Sequence, residues 1–498
     1  MYGVGGTEAC DSTTGIMRIT VGNLQTRIEP AYQPNLENFF KVRIPRWWFH
    51  PRVRSRQWDG CYRFYSSLSG RMPTGLLDTL LGYLDTQKVA YTLVDQRGIP
   101  PVLDFEQKLH GVELRADQVG AVAQILGGRL RQCDWWWPRG VVRYPTGAGK
   151  TVMIAAVCQF LRGPGLIVID KRTLLHQTAR VLEQLLQEPV GRIGDGELTL
   201  GRITVSTVQT VSRRLPGLQD FLARQQLFIS DEGHHLPAAT FTKVAMACPA
   251  FARYAFSATP FVEDDLVQRT RLVGTTGRLL VSMSGHNLPS VVAPVEYRMV
   301  TITEPAYADV PLSPGAAQTM SCPLKDMGYA DAYTYGIVQN THRNDEIVRA
   351  AQAAKPPTLI IVSRLEHGRL LAKALGCPFI RGEQSTPERH QALTGLGNGD
   401  IPILVSSPIL DEGVDVPAIR TMILAAGGKS GNKFIQRVGR GRRRKEDGGH
   451  LDVIDFVDAT HRQLLAHSKQ RHRTAVREHF KITLDADVGR FLPTTKVA

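Results

Sequence analysis

The segment Arg143-Tyr144-Pro145-Thr146-Gly147-Ala148-Gly149-Lys150-Thr151 joins small residues to one lysine and one hydroxyl. Small residues let successive backbone N–H groups turn toward phosphate oxygens. Lys150 offers a point charge for β- and γ-phosphates, and Thr151 offers a hydroxyl to Mg2+. Apolar Val141-Val142 precede the segment and an apolar stretch over 152–161 follows, the strand–loop–helix context that a phosphate cradle needs. Tyr144 stands where the general pattern has its first glycine. Farther along, Leu227-Phe-Ile-Ser-Asp231-Glu232-Gly-His234-His235 puts two adjacent carboxylates at the end of an apolar run. Doubly wound sheets present ligands at such strand ends. Asp231 suits Mg2+ held through water, and Glu232 suits orienting and deprotonating an attacking water. A zinc reading of the two histidines would need further ligands. The seven cysteines are scattered and form no C-x-x-C pair.

Elements that could position these groups are visible as a rhythm. Apolar bursts at 165–170, 226–231 and 253–257 read as buried parallel strands, and amphipathic stretches such as 172–187 separate them. A second series has strands at 357–362, 402–406 and 421–425. The expected fold is α/β: two RecA-like parallel-sheet lobes in tandem, with a small α+β N-terminal domain and a basic C-terminal helix. The expected divisions are 1–16 as a loose terminus, 17–104 as the N-terminal domain and 105–285 as the first lobe. Residues 286–332 then form a connecting segment, 333–460 the second lobe and 461–498 the basic tail. The chain has 498 residues, 43% hydrophobic and 21% charged, as a folded soluble protein does. Sixty basic and 46 acidic residues give +14, which favours a polyanionic partner, with nucleic acid ahead of an anionic membrane surface. The first 30 residues hold Glu8, Asp11 and Glu29 and no apolar core, so no signal peptide is expected. No apolar run reaches membrane-spanning length. The expected setting is cytoplasmic, in a bacterial or phage-infected cell.

With these motifs in this order, the chain resembles superfamily 2 helicases of the D-E-x-H type. Pro145-Thr-Gly-Ala-Gly-Lys-Thr151 is similar to the phosphate loop of those motors, and the resemblance extends over about 105–460. It implies that Leu114-Arg115-Ala-Asp-Gln118 reads adenine. Lys171-Arg172 to Gln177 and Ser206-Thr207-Val-Gln209-Thr210 resemble motifs that track a nucleic-acid strand. Ser257-Ala-Thr259-Pro260 resembles the coupling motif, with His234 as its partner. In the second lobe, Ile361-Val-Ser-Arg364 resembles a strand-contacting motif. The stretch from Val405-Ser406 through Gly413 and Asp415 resembles one that contacts strand and nucleotide. Gln436-Arg-Val-Gly-Arg440-Gly-Arg-Arg443 resembles the motif that meets ATP across a cleft. There Arg440 and Arg443 stabilise the transferring phosphoryl and Gln436 positions γ-phosphate or water. Arg442, Arg444 and Lys445 stay open between that role and a solvated basic run or localisation signal.

Between 41 and 63 lie seven basic residues, among them Arg52, Arg54 and Arg56, and one acidic residue. Trp47, Trp48, Trp58, Tyr62, Phe64 and Tyr65 are interleaved. Phosphate contact with base stacking is one reading. In a domain of this size the aromatics are expected mostly in the core and the arginines outward. Trp58-Asp-Gly60 and Met72-Pro-Thr-Gly-Leu76 resemble phage UvsW-type helicases that remodel branched DNA, in the neighbourhood of the XPB and RecG groups. Trp135-Trp136-Trp137 is expected to pack inside. The expected activity is ATP-dependent unwinding or remodelling of DNA, with ATP and Mg2+ as cofactors, no membrane partner and a monomeric state. An RNA helicase, the motor of a restriction or CRISPR system, and a non-hydrolysing nucleic-acid scaffold are the rivals.

Overall fold

The computed structural model describes residues 16–261, 265–313, 318–408 and 419–492, apart from positions 430, 444, 446, 447 and 486. The chain divides into two compact units, one of residues up to 143 with 151–282, the other of 144–150 with 283 onward.

In the first unit, β1 (Met17–Val21) and β2 (Gln25–Glu29) pair antiparallel. A short antiparallel pair follows, β3 (Lys41–Arg43) and β4 (Cys61–Arg63). Then β5 (Arg71–Pro73) and β6 (Tyr91–Asp95) complete a four-stranded sheet of order β5-β2-β1-β6. Alternation puts Met17, Ile19 and Val21 inward, against Leu77, Leu80, Leu81 and Leu84 of the helix Leu77–Thr86.

The larger sheet of this unit contains β7 (Arg139–Arg143), β8 (Gly165–Ile169), β9 (Gly191–Gly194), β10 (Glu197–Thr199), β11 (Ile203–Thr207), β12 (Leu227–Asp231), β13 (Ala252–Ser257) and β14 (Leu279–Ser282). Its order is β10-β9-β11-β8-β12-β13-β7-β14. Every residue of β8, β11 and β13 is buried. Helices connect the parallel strands, as crossover connections require, while β9 and β10 form an antiparallel hairpin at one edge.

The four-stranded sheet is welded to this larger one. A Cβ on Gly75 would lie 2.0 Å from the Val273 carbonyl oxygen, so only glycine fits that approach. Asn23 donates from Nδ2 to the Pro249 carbonyl at 2.7 Å, and its own carbonyl accepts from Arg139 Nη2 at 2.8 Å. Arg97 lies over the Trp137 ring at 4.9 Å and the Phe251 ring at 4.6 Å. Trp137 is buried in the N-terminal core with Leu130. The tryptophan triplet thus packs the small sheet onto the large one.

The second unit holds one all-parallel sheet and a two-stranded hairpin. The strands are β15 (Val295–Ile302), the hairpin β16 (Tyr307–Pro311) and β17 (Thr319–Pro323), β18 (Thr358–Ile361), β19 (Phe379–Ile380), β20 (Ile403–Ser406), β21 (Thr421–Ile423), β22 (Leu451–Asp458) and β23 (Lys481–Leu484). Sheet order is β19-β20-β18-β21-β22-β15-β23. Two stretches expected outside the lobe, one in the connecting segment and one in the tail, therefore supply strands β15 and β23 to its sheet. The helix Arg462–Arg477 lies against β22 and buries Arg471. No helix among the described residues is long and apolar enough to cross a membrane.

Candidate functional site

Register in the parallel sheet of the first unit assembles the chemistry. Arg143 of β7 pairs with Ser257 of β13, and Phe256 of β13 pairs with Asp231 of β12. The carboxyl ends of three adjacent strands therefore share one edge. From that edge the chain leaves β7 into the loop 144–149 and re-enters a helix at Lys150. Gly147 and Gly149 have φ of +78° and +92°, left-handed values that side chains disfavour. A Cβ on Gly147 would meet no atom within 4 Å, so the loop is open over that residue. Ala148 donates its N–H to the Pro145 carbonyl at 3.3 Å, closing the turn. Thr146 and Thr151 are partly exposed.

Glu232 has φ of +51°, an unusual conformation for a non-glycine residue and one that clusters at functional sites. It turns the chain sharply out of β12, and its N–H is capped by Asp231 Oδ1 at 3.0 Å. Gly233 must be glycine, because a Cβ there would lie 2.6 Å from that of Ala255. The turn aims His234 across to the next strand. Its Nδ1 lies 3.4 Å from Glu232 Oε2 and 3.2 Å from Ser257 Oγ. Ser257 Oγ in turn accepts the Thr259 N–H at 3.1 Å. Glu232, His234, Ser257 and Thr259 thus form one polar chain along the sheet edge.

A second chain was missed from sequence. His235 Nε2 lies 3.8 Å from Asp170 Oδ2, and Gln209 Nε2 donates to Asp170 Oδ1 at 3.0 Å. The two histidine rings have centroids 4.0 Å apart. Asp170 follows β8 just as Asp231 ends β12, and that parallel was the available signal. Arg172, exposed at the start of the helix Arg172–Leu186, lies two residues beyond it. Gln118 is buried and accepts the Arg115 N–H at 3.2 Å, while Arg115 Nε pairs with Asp117 at 3.0 Å.

Two expected strand-contacting side chains are not presented to solvent. Thr207 is buried, its hydroxyl donating to Thr210 Oγ1 at 2.9 Å. Ser406 is buried, its hydroxyl donating to the Ser407 carbonyl at 2.8 Å. Both are the last residues of their strands, β11 and β20. Arg364 is exposed, its guanidinium over the Tyr333 ring at 5.8 Å.

In the second unit, Gln436 and Arg440 lie one turn apart on the helix Gly431–Gly441, and Arg443 bridges to Val292 just beyond it. Gly413 and Asp415 lie outside the described residues. The solvated-run reading fails for Arg442 and Lys445. Arg442 is buried and donates from Nε to the Ala293 carbonyl at 2.9 Å, and burial lowers its pKa to about 10. Lys445 is buried with its ammonium on the His450 carbonyl.

The N-terminal aromatics also depart from expectation. Tyr65 is fully buried, but Trp48 is 54% exposed and Tyr62 39% exposed. Arg271 lies over the Tyr62 ring at 4.3 Å. Arg52, Arg54 and Arg56 are exposed. The core is mainly aliphatic, with Tyr65 inside it and Phe64 packed against it.

Residues 111–262 match the family described as type III restriction enzyme, res subunit, and residues 340–445 match the helicase conserved C-terminal domain. The DNA 3'-5' translocase XPB2 of Sulfurisphaera tokodaii is 24% identical over 417 residues, 78% of this chain and 90% of that protein. Against three further curated relatives the matched stretch spans 60–61% of their length. The DNA-bound type ISP restriction-modification enzyme LlaBIII superposes with a TM-score of 0.54 at 14% identity, over 82% of this chain and 34% of that one. UvsW of bacteriophage T4 is 17% identical with a TM-score of 0.42, over 94% of this chain and 99% of that one. A matched motor domain lies on each parallel sheet, in the order the motifs require, and in this the chain resembles the superfamily 2 helicases.

Proposed function

We propose that the chain is an ATP-driven DNA translocase that unwinds or remodels duplex and branched DNA. One observation carries the reading: the polar chain from Glu232 through His234 to Ser257 and Thr259, at the strand edge from which the loop 144–149 departs. A carboxylate that deprotonates water changes charge, and His234, touching both Glu232 and Ser257, passes that change along the sheet edge. A binding scaffold has no use for such a link.

The loop 145–149 and Lys150 would hold the triphosphate of ATP. Thr151 and Asp231 offer the oxygen ligands that Mg2+ prefers, and the ion would neutralise phosphate charge there. Arg115 and Gln118 would meet the base. Gln436, Arg440 and Arg443 would act on the transferring phosphoryl. On the nucleic-acid side, Arg172, Gln209, Arg364 and the arginines at 52, 54 and 56 remain as contact residues. Thr207 and Ser406, buried at the ends of their strands, would meet the nucleic acid only through the adjoining backbone. DNA is favoured over RNA by the relative named as a DNA translocase; the +14 charge of the chain suits either polyanion.

The test compares steady-state ATPase with single-stranded DNA, duplex, a fork, a four-way junction and RNA. Stimulation by DNA, greatest with branched forms, is expected. Stimulation by RNA alone would overturn the DNA assignment, and no turnover under any condition would overturn the motor.

A further inference from the structure

Between β3 and β4 the chain makes a long excursion, residues 44–60, whose construction is unlike a floppy loop. Arg43 lies over the Trp47 ring at 4.7 Å, and Gly60 approaches Trp47 so closely that a Cβ would be 2.8 Å from its own. Trp58 donates from Nε1 to the Cys61 carbonyl at 3.0 Å, and the Ile44 N–H donates to the Gly60 carbonyl at 2.9 Å. Two tryptophans are thus spent on anchoring the loop. The other two aromatics are displayed: Trp48 is 54% exposed and Phe49 67%. They follow Arg46, which turns the chain with φ of +53°. Exposing two adjacent large apolar rings costs hydrophobic free energy and needs a reason.

Charge supplies the reason. Five arginines and no acidic residue lie from Arg43 to Gln57, and all five are exposed. The acid present, Asp59, sits at the base and is paired with Lys41 at 3.1 Å and Arg63 at 2.7 Å. A protein-binding or self-associating apolar patch would not need a uniformly cationic rim. A polyanion with flat apolar faces fits both features: phosphates on the arginines, a base on each ring.

We infer that Trp48 and Phe49 form a wedge that stacks on unpaired bases where a DNA duplex opens, with the surrounding arginines on the flanking phosphates. This rests on the DNA translocase reading and adds to it the strand-separating element. Stacking is tolerant of sequence, because every base has a π-face, so the wedge recognises the junction and not its letters.

The test uses the full chain and a fork carrying 2-aminopurine at the first unpaired position beside the duplex. Wild type is expected to change the 2-aminopurine fluorescence on binding without ATP. The double variant Trp48→Ala/Phe49→Ala is expected to lose that change and to bind the fork about 5- to 150-fold more weakly per stacked base. The loss should be far smaller on closed-circular duplex, which offers phosphates and no unpaired base. Trp48→Tyr/Phe49→Tyr should restore both signals. Arg52→Gln/Arg54→Gln/Arg56→Gln should weaken both DNAs and flatten the log–log salt slope by about 0.9 per lost contact. Wild-type fork affinity and fluorescence in the double alanine variant would overturn the wedge, as would an equal loss on both DNAs. So would a dimer in sedimentation that the alanine variant dissolves, since the patch would then join two copies. Absence of DNA-stimulated ATPase in wild type would instead sink the translocase reading itself.

Discussion

Glu232 and His234 are set by backbone geometry as much as by side-chain identity. The left-handed turn at Glu232 and the close approach of Gly233 to Ala255 bring His234 beside Ser257. Glu232→Gln should therefore keep ATP binding and lose turnover, because shape stays and the base is gone. Lys150→Ala should lose turnover through loss of the charge on the phosphates. Steady-state hydrolysis near wild type in either variant would contradict the assignment. Arg440→Ala and Arg443→Ala should each lower kcat on the order of 10³-fold if they stabilise the transferring phosphoryl. Nucleotide affinity that collapses while kcat persists would instead make them ground-state binders. Asp170→Ala is expected to lower the DNA stimulation of hydrolysis more than the DNA-free rate, since Asp170 joins His235 to Gln209. Equal loss of both rates would make it a structural residue only. Lys150, Glu232, Arg440 and Arg443 could be named from the sequence because phosphate chemistry demands fixed types at fixed offsets, whereas Asp170 could not. That Thr207 and Ser406 are buried was not readable, because spacing carries no burial.

Elements of the second unit are fastened by buried charge. Arg343 donates from Nε to Asp458 at 2.7 Å, and Arg471 donates from Nε to Asp455 at 2.7 Å, tying the C-terminal helix to β22. Burial pushes the Asp458 carboxyl up, against the pull of Arg343 and Arg471. Arg471→Ala would leave Asp455 buried without its ion pair and should destabilise this unit by about 3–5 kcal/mol in denaturant unfolding. A change under 1 kcal/mol would show the helix is held by other contacts. His367 is fully buried, with Nε2 2.8 Å from Asn344 Oδ1, and burial pulls its pKa down to about 3. The unfolded chain takes up that proton near pH 6.5 and the folded chain resists it. The stabilisation is complete above that pH and is lost as pH falls toward 3. Between pH 7.5 and 5 this one group should remove about 2 kcal/mol. His367→Gln should remove that part of the acid sensitivity, and an unchanged pH dependence of unfolding would contradict the burial. Strands β15 and β23 escaped the sequence reading because their partners are remote. β15 pairs with 451–458 and 481–484, and nothing local announces such pairing.

At the scale of the whole molecule, the small N-terminal sheet and the first large sheet form one compact unit. Deleting residues 1–104 would uncover Trp137, Leu130 and Val273 and leave the buried Arg139 without the Asn23 carbonyl. The deletion is therefore expected to lower the unfolding midpoint of the remaining chain, and its loss of DNA binding would not isolate a contact. Charge removal at Arg52, Arg54 and Arg56 is the cleaner probe. Composition and motif order made two motor lobes and a basic flank readable. The display of Trp48 and Phe49 was not readable, because aromatics in a small domain normally fill its core. Hydrolysis is proposed to move this chain along DNA. Displacement of a labelled third strand from a DNA triplex, timed after adding ATP and Mg2+, tests it without requiring the duplex to open. Displacement that depends on ATP and is absent in Glu232→Gln is the predicted result. DNA-stimulated hydrolysis with no displacement from either end of the track would contradict it.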